Sequence, residues 1–328
     1  MRILLIFTLI LVLLGCQNRG HEVGNPDFLV MAEQATSSAS PIPVSTPTPT
    51  ARPTETSTPT PTFTPTLTST PTPFVCPEQQ GTLVTETLKS VAMYGEEIRY
   101  TVYLPPCYAH DYVQQYRLPV LYLLHGWPMD ETHWQELGVV KIADAWIAQG
   151  LIGPLMIVMP GVVNPHGMYI NSSGGDFSFE GMLVNELLPL VDETYRTWQA
   201  PEGRALGGIS RGGVWALEIG FRHPELFGKV GGHSPALAVN YPLPAYDPFR
   251  LLDSVDPRQR IYLSAGTQDW ARGSTITLRD RLQEQGLEVG YQTHEGAHVD
   301  ALWRLGLPEY LSFYTGDWPR SVEDLPTD

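Results

Sequence analysis

Apolar positions between residues 76 and 318 follow two rhythms. GTLVTETLKS and EEIRYTVYLPP alternate apolar with polar residues around a Tyr-Gly turn at Gly95, which predicts an antiparallel strand pair. LPVLYLLHG and LMIVMPG are unbroken apolar runs of strand length, the pattern of strands covered on both faces. RALGGIS, KVGGHS, RIYLSAGTQD and LEVGYQTHEG add four more strand-like runs. Between them HWQELGVVKIADAWIAQG, FEGMLVNELLPLVDETYRT, RGGVWALEIGFRHP, LRDRLQEQG and VDALWRLGLPEYLSFY carry helical spacing. The first of these is expected as one helix closed by glycine, and Pro189 is expected to kink or break the second. The alternation predicts an α/β fold with a mostly parallel central sheet and helices on both faces. In such sheets functional residues gather at the C-terminal ends of strands, and the polar exceptions fall there.

The two rhythms stop short of the N-terminus. MRILLIFTLILVLLGC has one basic residue and an apolar run from Ile3 to Leu14, shorter than the roughly 20 residues of a spanning helix. It reads as a signal peptide, and Leu13-Leu14-Gly15-Cys16 resembles a lipobox with Cys16 as the lipidated residue. Thr, Pro and Ser dominate from Thr36 to Pro73, too little apolar matter to offset the entropy of ordering. The expected division is a lipoprotein signal peptide over 1–16, a disordered Thr/Pro-rich linker over 17–75, and the α/β domain over 76–328. The protein is then exported and lipid-anchored, with its domain extracellular or periplasmic; the anchor is its expected contact with a membrane.

Composition narrows the chemistry. The 328 residues carry a formal net charge of −15, which argues against a nucleic-acid partner. With Cys16 assigned to lipid, Cys76 and Cys107 remain as either a disulfide or two buried thiols, and an exported protein favours the bridge. No CxxC or HExxH pattern appears, so neither a metal nor an organic cofactor is expected.

Gly208-Ile209-Ser210-Arg211-Gly212 is a G-x-S-x-G motif between a strand and a helix. A sharp turn there leaves no room for Cβ atoms at the glycines and lifts the serine above the sheet, facing a helix N-terminus. A serine hydroxyl needs a base, and the base needs an orienting carboxylate. Asp269 follows the strand RIYLSAG and His298 follows the loop after Gly296, giving the order Ser, Asp, His of α/β-hydrolases. His294 competes with His298, and Glu295, Asp256 and Asp300 are weaker carboxylate candidates. For the oxyanion, Pro128 has no N–H, so the backbone N–H groups of Trp127 and Arg211 are the candidate donors. His125 reads as a brace for that loop and His233 as a structural histidine.

Together, LYLLHGWPMDETHW, MIVMPG, NELLPLVDETYRT, GGISRGGVWAL and the Asp269 and His298 blocks resemble the esterase D / carbohydrate esterase family 1 group, from about residue 82 to 315. That group includes feruloyl, acetyl-xylan and enterochelin esterases, S-formylglutathione hydrolases and mycolyltransferases. The resemblance implies the α/β-hydrolase fold, a Ser210–His298–Asp269 triad and acyl transfer from an ester or thioester. The expected activity is cell-surface hydrolysis of a carboxylic ester on a carbohydrate or small molecule. Transfer of the acyl group to an envelope glycan or lipid, and a non-catalytic surface binding module, are the rival readings. NSSGGDFSFEG either borders the cleft or merely connects elements. Trp127, Trp134, Trp215, Trp270 and Trp303 either line an aromatic pocket or fill the core.

Overall fold

Strand-length runs become eight strands of one sheet: β1 (Thr82–Lys89), β2 (Glu97–Leu104), β3 (Val120–Leu124), β4 (Met156–Pro160), β5 (Arg204–Ile209), β6 (Lys229–His233), β7 (Arg260–Gly266) and β8 (Val289–His294). Their spatial order is β1-β2-β4-β3-β5-β6-β7-β8. β2 runs antiparallel to both β1 and β4, and every other neighbouring pair is parallel. This is a computed structural model, and it describes residues 74–162 and 174–327. The expected signal peptide, Cys16, and the linker up to residue 73 lie outside the described residues.

The unbroken apolar runs serve two cores at once. In β3, Val120, Tyr122 and Leu124 enter one hydrophobic cluster while Leu121 and Leu123 enter another, as alternating Cβ directions require. The first cluster packs beneath helices α3 (Phe179–Met182), α4 (Leu188–Thr194), α5 (Arg211–Arg222) and α6 (Arg272–Glu284). The second packs against α1 (His133–Leu137), α2 (Val139–Ala148) and α7 (Asp300–Thr315). Fully burying each large apolar side chain contributes about 1.5–3 kcal/mol, so the central strands are fixed from both sides.

One helical run departs from expectation and a second narrows it. HWQELGVVKIADAWIAQG is not one helix, because Gly138 takes φ 105° and ends α1 as α2 begins. Its N–H donates to the carbonyls of Trp134 and Gln135, a glycine cap in mid-run. FEGMLVNELLPLVDETYRT stays helical through Pro189, so of the two expected outcomes, a kink or a break, the break does not occur. A π-turn over Leu183–Leu187 joins α3 to α4, and the Leu188 N–H bonds the Leu183 carbonyl. The wider turn accommodates a residue that has no N–H and crowds the carbonyl four residues back.

Cys76 and Cys107 form a disulfide with Cα atoms 5.9 Å apart, joining the approach to β1 to the loop after β2. No helix among the described residues is long and apolar enough to cross a membrane.

Candidate active site

The end of β5 turns into α5 through Ser210, whose backbone adopts φ 55° and ψ −113°. That turn tolerates little bulk. A Cβ at Gly208 would lie 2.1 Å from the Gly212 carbonyl oxygen, and one at Gly212 would lie 2.4 Å from that of His125. The Ser210 N–H donates to the His233 carbonyl at 2.9 Å, while the Ser210 carbonyl accepts from Val214 and Ala236 at 3.2 and 2.9 Å. The serine is therefore pinned between the end of β6 and the first turn of α5.

Two loops bring its partners. Ser210 Oγ lies 2.8 Å from His298 Nε2, and His298 Nδ1 lies 2.8 Å from Asp269 Oδ1. These separations fit a hydroxyl donating to Nε2 and Nδ1–H donating to the carboxylate. Asp269 also accepts from the Ala271 N–H at 2.8 Å, so the carboxylate is oriented by its own loop. Burial would raise the Asp269 carboxyl, but hydrogen bonds from His298, the Ser234 side chain and the Ala271 amide outweigh it and hold the group below its ordinary range. Asp269 Oδ2 and Ser234 Oγ are both buried, and neither makes a hydrogen bond of regular geometry among the described residues. His298 is kept in place by Trp270, with ring centroids 4.3 Å apart, and by the edge of Trp303 at 5.1 Å.

The two expected oxyanion donors, Arg211 and Trp127, lie beside Ser210. Arg211 opens α5, and the Gly126–Trp127 turn approaches closely enough that a Cβ at Gly126 would sit 3.4 Å from Ser210 Cβ. His125 is buried and bonds the Gly126 carbonyl through Nδ1 at 2.9 Å. Burial lowers its pKa to about 4, so it braces the turn as a neutral ring. His233 is likewise neutral, lowered by burial to about 3, and contacts Tyr314 Oη and Ser264 Oγ at 2.9 and 3.2 Å.

Other candidates stand apart from the triad. His294 ends β8 with its Nε2 buried and without a hydrogen-bond partner among the described residues, and Asp256 pairs with Arg258. Glu295 follows β8 on an exposed loop. Asp300 opens α7 and pairs with His133 instead. The tryptophans divide between roles: Trp134 and Trp215 are buried, while Trp127 and Trp270 are about half exposed at the site. Residues 171–173 of NSSGGDFSFEG lie outside the described residues; Gly174 and Gly175 pack against Tyr246. A cleft of about 450 Å³ opens over Ser210 and His298, with Trp127, Met129, Val299 and Trp303 in its walls.

The family model described as "Putative esterase" matches residues 90–314. The chain belongs to this esterase family. Its matched segment is an esterase domain and carries the α/β-hydrolase fold. An endo-1,4-beta-xylanase/feruloyl esterase of Xylanibacter ruminicola is 40% identical over 213 residues, covering 62% of this chain. The chain spans 27% of that relative's length. Among solved structures, a ferulic acid esterase superposes with a TM-score of 0.64 at 24% identity, over 72% of this chain and 99% of its own. An S-formylglutathione hydrolase of Staphylococcus aureus gives 0.60 at 17% identity, over 72% and 99%. Both likenesses concern the fold. In this esterase domain the G-x-S-x-G spacing and the strand ends marked the three residues that the fold brings together, Ser210, Asp269 and His298. Ser234 and His133 carried no comparable signal, because each meets its partner only through the folded sheet.

Proposed function

We propose that the domain is a serine hydrolase of carboxylic esters that works through an acyl-enzyme. The observation that carries this reading is the unbroken line from Ser210 Oγ to His298 to Asp269, each step 2.8 Å, at the floor of an open cleft. Ser210 Oγ attacks the ester carbonyl while His298 Nε2 takes its proton. Asp269 holds the imidazole in the tautomer with Nδ1–H and stabilises the imidazolium that forms. The N–H groups of Trp127 and Arg211 receive the oxyanion, each contributing about 3 kcal/mol to the transition state. His298 returns the proton to the departing alcohol, and water repeats the sequence on the acyl-serine, releasing the acid and restoring Ser210.

The substrate in this reading is an ester on a carbohydrate or small molecule. The apolar cleft walls and the Xylanibacter relative named for feruloyl ester cleavage support an aromatic acyl group. The reading also places the enzyme outside the cytoplasm on a lipid anchor at Cys16. A bridged Cys76–Cys107 pair supports an oxidising compartment.

The test is turnover of methyl hydroxycinnamates, short-chain 4-nitrophenyl esters and acetylated xylosides, with products resolved by mass. Release of free acid from one class or more is the expected result. Acyl groups recovered on added alcohols in place of water would replace hydrolysis by transfer. A folded protein inert towards the whole panel would leave a binding module.

A further inference from the structure

Next to the triad, the cleft carries one acidic group whose position no catalytic step explains. Among the described residues lining it, Asp300 is the acidic side chain, set among Trp127, Met129, Val299 and Trp303. Its side chain is 35% exposed, so it is open to a ligand, whereas the Asp269 side chain has no exposure. Asp300 is also held. His133, with 1% side-chain exposure, donates from Nε2 to Asp300 Oδ1 at 3.2 Å. The Arg304 guanidinium stands 4.0 Å from Oδ2 and donates to the Glu136 carbonyl at 3.4 Å. Oδ2 therefore has a favourable field without a close hydrogen bond to it.

The placement is rigid. Asp300 and Trp303 are three residues apart on α7 and share a helix face. The Trp303 ring packs edge-on against His298 at 5.1 Å and against His133 at 6.0 Å. One aromatic ring thus sits against both the catalytic histidine and the histidine that holds Asp300. A carboxylate in an apolar cleft accepts hydrogen bonds and repels anions, and with the Arg304 guanidinium already 4.0 Å from Oδ2 the ligand that fits is a neutral donor.

We infer that Asp300, positioned by His133, is a specificity residue that accepts a hydrogen bond from a hydroxyl group on the ester bound at Ser210. This rests on the esterase reading of the same site. The hydroxyl belongs either to the acyl part, as a phenol, or to the alcohol part, as a free sugar hydroxyl. A substrate that is ionised or methylated at that position loses the contact.

The experiment compares kcat/KM for two matched pairs. One pair is methyl 4-hydroxycinnamate and methyl 4-methoxycinnamate. The other is a monoacetylated methyl xyloside and its O-methylated counterpart. Wild type is expected to favour the hydroxylated member of one pair by about tenfold or more, a charge-assisted hydrogen bond's worth. Which pair shows the preference identifies the source of the hydroxyl. In Asp300→Asn that ratio is expected to fall to about threefold or less, and His133→Phe is expected to lower it in the same direction. A wild-type ratio near one in both pairs overturns the inference without any variant. So does a ratio that Asp300→Asn leaves unchanged. Turnover of 4-nitrophenyl acetate by wild type separates these results from failure of the esterase reading, in which case that ester is not cleaved either.

Discussion

Ser210 is a non-glycine residue at φ 55°, a conformation that costs about 1–3 kcal/mol and persists where its surroundings enforce it. Here the enforcement is visible in the Ser210 N–H bond to His233 and in the Gly208 and Gly212 approaches. The consequence is an Oγ aimed at His298 rather than at its own helix. Asp269 shows how much of the site depends on orientation. Asp269→Asn preserves the size of the side chain but can favour the wrong imidazole tautomer, and kcat is expected to fall by about 10³-fold or more with little change in Tm. Stopped assays on an activated ester together with thermal melting check both halves of that expectation. The meeting of Ser210, His298 and Asp269 was legible at this scale, because motif spacing and strand ends locate loop residues. The Ser234 contact to the acid was not: Ser234 and Asp269 lie 35 residues apart and meet because β6 and β7 are neighbours.

At the scale of the element, glycine decides two things that hydrophobic spacing cannot. Gly138 splits a helical run at φ 105°, and nothing lies within 4 Å of a Cβ built there. Gly138→Ala is therefore a test of backbone strain alone, with an expected loss of about 1–2 kcal/mol in denaturant unfolding and unchanged kcat. Gly212→Ala meets backbone oxygens of His125 and Leu124 at 2.4 and 2.5 Å, so it is expected to cost well over that and to depress activity with stability. The strands were readable because an unbroken apolar run of five residues has few other homes than a sheet covered on both faces. The π-turn before Pro189 was not readable, since proline spacing alone does not say whether a helix breaks or widens.

Across the whole molecule, two features set stability against conditions. The Glu218 side chain is buried on α5, and neither carboxyl oxygen has a hydrogen-bond partner among the described residues. Burial, then the nearby Glu180 carboxylate, push its pKa up to about 10, against the weaker pull of Arg222 and Arg211. The folded state keeps this proton while the unfolded chain loses it above its value near 4.5, so stability from this group falls as pH rises from there. Glu218→Gln is expected to raise Tm at pH 8 and to change it much less at pH 5, as scanning calorimetry at both pH values would show. The Cys76–Cys107 bridge spans 31 residues, and Cys76→Ala with Cys107→Ala is expected to cost about 3–4 kcal/mol. Neither feature bears on the chemistry at Ser210, which is tested most directly by covalent labelling with a fluorophosphonate probe. Wild type is expected to acquire one adduct, mapped by mass spectrometry to Ser210, and Ser210→Ala is expected to acquire none while melting normally. Equal labelling of the two proteins, or an adduct on another residue, would contradict the assignment of Ser210 as nucleophile.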